Sequence, residues 1–109
     1  MNETIVEQVG MWFAQVSRQL CVTFSAVNYR MMRATDKVRG KVIIELDGGS
    51  AVIMITFWNK GDVQALILER KTKREHTLDD RMLTADDRVA SLLESYLDKF
   101  TSLVSGMTG

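Results

Sequence analysis

The stretch AVIMITFWNKGDVQALILERK, residues 51–71, decides the fold. Residues 51–58 are nearly all apolar, the pattern of a central strand covered on both faces. Asn59-Lys60-Gly61-Asp62 then supplies a turn, with Gly61 able to take the backbone conformation that side chains resist. Val63 to about Thr72 resumes an apolar alternation and reads as the next strand. Working backwards, Val42, Ile44 and Leu46 alternate with Glu45, so a strand is expected from Lys41 to Leu46. Asp47-Gly48-Gly49 joins it to residue 51 by a tight turn. Strands linked this closely pair antiparallel, which makes a meander.

Outward from this centre the period changes. Ile5, Val9, Trp12, Phe13, Val16 and Leu20 recur at three- and four-residue spacing, predicting an amphipathic helix from about Glu3 to Gln19. Thr4 and Glu7 have capping-box spacing, with Asn2 as a competing cap. From Cys21 the period is two: Val22, Phe24 and Ala26 face one way and Thr23 and Ser25 the other, giving a first strand. At the far end Val89, Leu92, Leu93, Tyr96, Leu97, Phe100, Leu103 and Val104 form a helical stripe, with Leu93 and Leu97 expected in the core. Thr84 reads as its cap, Asp86 and Asp87 as its first turn, and Gly106 as its stop. The expected architecture is α+β, in the order α-β-β-β-β-α: a four-stranded antiparallel meander with terminal helices. It forms one domain over residues 1–109.

Composition narrows the function. Fourteen basic and fourteen acidic side chains cancel, which argues against direct nucleic-acid binding. Cys21 stands alone, so neither a disulfide framework nor a cysteine-based zinc site is expected. Met-Asn-Glu-Thr-Ile lacks the features of a signal peptide, and no apolar run is long enough to cross a bilayer as a helix. A cytoplasmic protein with no membrane partner is the expectation.

Chemistry is sparse. His76 is the only histidine, and His76, Asp79 and Asp80 form only a fragment of a metal site, better read as part of a solvated linker. Asp86 and Asp87 are explained as helix-start residues, and Gly48-Gly49 precedes a strand rather than a phosphate-binding helix. The run Arg70 to Arg74 lies between Glu69 and Glu75 and has no aromatic for base stacking, so it reads as a charged strand end. Trp12 belongs to the first helix stripe, and Trp58 reads as an aromatic capping the core beside a polar turn. No catalytic, cofactor or metal residue is expected. Charge is segregated, however: residues 28–41 are basic, and the segment from Glu75 to Asp98 is predominantly acidic. That pattern suits steering toward a charged protein partner.

The strand ending Ile55-Thr56-Phe57-Trp58, the turn Asn59-Lys60-Gly61-Asp62, the strand Val63 to Leu68 and the run Met82-Leu83-Thr84-Ala85-Asp86-Asp87 carry a resemblance. With a closing helix behind them, they resemble the small immunity proteins of bacterial polymorphic-toxin and contact-dependent growth inhibition systems. The resemblance covers about residues 40–104. It implies a non-enzymatic protein that binds and neutralises a cognate secreted toxin domain, for which a nuclease is one class. The free protein would be a monomer or weak dimer. On that reading the partner-binding residues are the turn group Trp58, Asn59, Lys60 and Asp62, with the carboxylates Asp79, Asp80, Asp86 and Asp87. The alternative is a secretion-type chaperone holding an effector segment on a methionine-rich surface that includes Met31-Met32. A third reading is a small enzyme using His76 with Asp79 or Asp80.

Overall fold

The structure is a computed structural model that describes residues 4–32 and 40–107. Helix α1 (Ile5–Thr23) is followed by strands β1 (Ala26–Met32), β2 (Lys41–Asp47), β3 (Ala51–Trp58), β4 (Asp62–Glu69) and β5 (Glu75–Met82). Helix α2 (Val89–Met107) closes the chain. The strands form one antiparallel sheet in sequence order, β1-β2-β3-β4-β5. The α+β class and the meander agree with the sequence reading, and β2 and β3 lie where it placed them. The strand number does not: the described residues form five strands, not four.

The missed strand is β5. Its residues, Glu-His-Thr-Leu-Asp-Asp-Arg-Met, carry no apolar alternation, because β5 is an edge strand whose inward positions are polar. A bulge breaks its period as well: Ala65 pairs with Asp79 and Leu66 with Thr77, so Leu78 is the extra residue. The segment expected as a linker is therefore paired along its length. The charged run at 70–74, expected as a strand end, is the β4–β5 connection, in which Lys73 takes φ of 61°.

Two further boundaries shift. Helix α1 continues to Thr23, whose hydroxyl donates to the Gln19 carbonyl at 2.9 Å, and Phe24 is its C-cap. Val22, expected on a strand, lies in the last helical turn at 83% exposure. Its alternation with Phe24 arises from a cap, not a pleat. Helix α2 starts at Val89, so Thr84, Asp86 and Asp87 precede it, and Gly106 lies inside it rather than ending it. Thr4 caps α1 as expected: its Oγ1 accepts from the Glu7 N–H at 3.1 Å and donates to Glu7 Oε1 at 3.0 Å. Asn2, the competing cap, and residues 33–39 of the basic segment 28–41 lie outside the described residues.

Both helices share one face of the sheet. The core joins Val6, Val9, Trp12 and Leu20 of α1 to Val89, Leu93, Tyr96 and Phe100 of α2. Beneath them lie Val42, Ile44, Leu46, Ile53, Ile55, Phe57, Val63, Ala65 and Ile67. Phe13 stacks on Tyr29 at 4.5 Å between ring centres, and Phe24 on Phe100 at 5.8 Å, which ties each helix to its surroundings. Gly10 allows α1 its close approach to β1, since a Cβ there would stand 3.1 Å from Tyr29 Oη. Leu93 is fully buried, whereas Leu97 is half-buried and lines a cleft between the helices. The opposite face of the sheet carries neither helix. Val52, Met54 and Trp58 of β3 are only half-buried there, so the expectation that β3 is covered on both faces fails. Its apolar run marks an open face.

Candidate functional site

The eight residues expected to meet a partner gather at one end of the sheet, around the β3–β4 turn, the end of β5 and the approach to α2. Pairing explains this. Asp62 stands opposite Met82, Gln64 opposite Asp80 and Ala65 opposite Asp79, while the Leu83 N–H donates to the Gly61 carbonyl at 2.8 Å. Gly61 takes φ of +114°, and its N–H donates to the Trp58 carbonyl at 3.0 Å, closing the turn. The turn thus has a complete structural account.

Three of the eight residues build this end from inside. Asn59 Oδ1 accepts from the Val6 N–H at 2.9 Å, satisfying one of the free donors at the start of α1. Its own N–H donates to the Gly40 carbonyl at 2.9 Å, tying the turn to β2. Asp79 accepts from Tyr96 Oη at 2.7 Å and from Arg81 Nε at 3.1 Å. Asp87 accepts from both terminal nitrogens of Arg81, at 2.7 and 3.1 Å, and from the Thr84 N–H at 2.7 Å. Arg81 therefore bridges two carboxylates and pins the approach to α2 against β5.

The bulge makes this network possible. Without Leu78 as an extra residue, Asp79 and Arg81 would point to the far face; with it, both share the helix side with Ala65 and Val63. The electrostatics follow the geometry. Arg81's hydrogen bond first, and Thr84's N–H second, hold the Asp87 carboxyl well below its ordinary range. Burial first, and then Asp79, hold the Tyr96 phenol above its own.

The remaining five face outward. Lys60 and Asp80 are exposed, as is Asp86. Lys60 Nζ lies 3.0 Å from Asp62 Oδ2, a surface pair at the head of β4. Trp58 is half-buried on the open face, at the end of β3 rather than over the helix-side core. Arg81 and Tyr96 were missed as site residues. Tyr96 read as part of an apolar stripe, and the role of Arg81 depends on a strand the alternation does not show.

His76 and Glu69 make a second pair: Nε2 lies 2.6 Å from Glu69 Oε2, across the β4–β5 edge on the helix side. It is separate from the Asp79 network, so the structure does not bring His76 together with Asp79 or Asp80 as one constellation. A cleft of about 260 Å³ between α1 and α2 is lined by Trp12, Leu20, Phe24, Leu97, Glu94 and Asp98. Among the described residues no group of three or more His, Cys, Asp or Glu side chains is placed to hold a metal, and no helix is long and apolar enough to cross a membrane. No family model, no curated protein and no solved structure matches this chain.

Proposed function

We propose that this chain is the immunity member of a toxin–immunity pair, a cytoplasmic protein that binds a cognate secreted toxin domain and blocks it. The observation behind this reading is the convergence of Asp62, Asp79, Asp80, Asp86 and Asp87 at one end, against the cations Lys60, Arg81 and Arg88. The labour is divided. Asp79 and Asp87 are fixed by Arg81, Tyr96 and Thr84, making a rigid frame. On that frame Asp80, Asp86 and the Lys60–Asp62 pair face solvent. A pre-ordered acidic surface binds a basic counterpart without ordering side chains at the moment of contact. The basic substrate cleft of a nuclease toxin is such a counterpart.

The test is co-expression with the toxin domain encoded beside this chain. Wild type should protect cells and co-purify with the toxin. An Asp86→Lys variant should fold normally and lose much of that protection, since Asp86 is exposed and does not support the frame. A wild type that neither protects nor co-purifies would overturn the reading. The chaperone alternative draws on Met32, Met54 and Met82, all on the open face of the sheet. It predicts capture of an extended effector segment rather than a folded toxin.

A further inference from the structure

The open sheet face holds an apolar patch, Ile43, Val52, Met54, Trp58, Leu66 and Leu68, where an antiparallel sheet exposed to water is usually polar. Residues directly opposite across a strand pair share a face, so the register gives its rows. One row runs Asn28, Glu45, Met54, Leu66, Thr77; the next runs Arg30, Ile43, Thr56, Gln64, Asp80. The row beyond holds Met32, Lys41, Trp58, Asp62 and Met82. Val52 and Leu68 extend the apolar centre on the other side. Met32, Leu68 and Met82 are 46%, 43% and 57% exposed. Arg30 and Lys41 stand on β1 and β2 beside Glu45 and Asp47, which Arg30 and Arg70 pair within the chain, whereas β4 and β5 present the carboxylates Asp62, Glu75 and Asp80.

We infer that this face is covered by a second copy of the chain, in a two-fold dimer whose axis runs parallel to β3. Such an axis lays each β1 over the partner's β5 and each β2 over its β4. Arg30 then meets Asp80 of the other copy, Lys41 meets Asp62, Asn28 meets Thr77 and Met32 meets Met82. Met54, Thr56 and Trp58 meet themselves at the centre. Glu45 is drawn off the apolar centre by Arg30, 2.9 Å away in its own chain. The other in-plane axis, across the strands, stacks each strand on itself end for end; centred on the face it sets Arg30 against Asn28 and Asp80 against Thr77, and leaves Lys41 against Asp47 as its single opposed pair. The first arrangement is selected by charge.

The size fits as well. Five strands about 4.8 Å apart and about 24 Å long give a footprint of roughly 570 Å² before side-chain relief. Standard interfaces bury about 600–1,000 Å² per partner. Sheets packed at about 30° displace the edge strands by several ångströms, a gap that Arg30 and Lys41 span with their long side chains.

Asp62 and Asp80 belong to both surfaces, so a toxin seated at the acidic end displaces the second copy; sedimentation equilibrium on the full chain, with no toxin present, tests the dimer alone. Wild type should run at twice the 12.4 kDa chain mass. Arg30→Asp and Asp80→Arg should each weaken the dimer by about tenfold or more, since each sets like charges face to face. The double exchange should recover affinity to within about threefold of wild type, because the pair is restored with its signs reversed. Circular dichroism of all three variants checks that the sheet is intact. A wild type still monomeric on the order of 100 µM overturns the dimer, and so does a double exchange as weak as the singles. If wild type is monomeric and a co-expressed toxin protects Met54 from oxidation, the face belongs to the toxin instead.

Discussion

Tyr96 of α2 donates its hydroxyl hydrogen to Asp79 of β5 at 2.7 Å, joining the last helix to a strand whose inward-facing residues opposite β4 are polar. Tyr96 is only 2% exposed. Tyr96→Phe keeps the ring and removes the bond, leaving Asp79 to Arg81 and the Asp80 N–H. A hydrogen bond to a charged group is worth about 1.5–3 kcal/mol, so a stability loss of that order is expected from urea unfolding. An unchanged midpoint would show that β5 is held by strand pairing alone.

Asp87 gives the fold an acid-sensitive element. Its carboxyl titrates below its ordinary range when folded, through Arg81 and then Thr84. The unfolded value is about 3.9. Its stabilising effect is therefore complete above the unfolded value and is lost as pH falls toward the depressed folded value. Urea midpoints should drop between about pH 5 and pH 2, and more steeply in wild type than in Asp87→Asn. Parallel slopes would remove Asp87 as the source.

Asn59 was expected on the partner surface, and its side-chain oxygen is instead committed to the Val6 N–H. Asn59→Ala should cost about 1 kcal/mol, as loss of an acceptor at a helix start does. Asn59→Asp retains the acceptor and adds a charge that the helix N-terminus favours, so it should stay near wild type. Equal losses in both would mean that the acceptor is not what matters.

These residues mark how far the sequence is legible. Strands β2 to β4 and the α1 cap follow from alternation, Gly-containing turns and Thr4, each a local signal. Strand β5 is not local: its inward polar residues His76, Asp79 and Arg81 are matched by Glu69, Tyr96 and Asp87, five or more residues away. The clustering of the predicted site residues follows from pairing of β4 with β5. Which of them build and which are exposed depends on a bulge that no spacing rule reveals. The unbroken apolar run of β3 reads as two covered faces, because an open apolar face has the same composition as one the chain covers itself.

His76 pairs with Glu69 outside the network at the acidic end. If the protein acts by binding, His76→Ala should retain protection within a few-fold of wild type. Loss of protection in a folded His76→Ala protein would favour the enzyme reading, since His76 is the only histidine.

The most direct measurement is calorimetric titration of the purified chain with the proposed cognate toxin domain, in parallel with an assay of that domain. The account predicts saturable binding at one toxin domain per chain, with toxin activity falling in proportion to complex formed and no turnover of the toxin by the chain. Absence of binding at micromolar concentrations, or inhibition that outpaces the amount of complex, would contradict it.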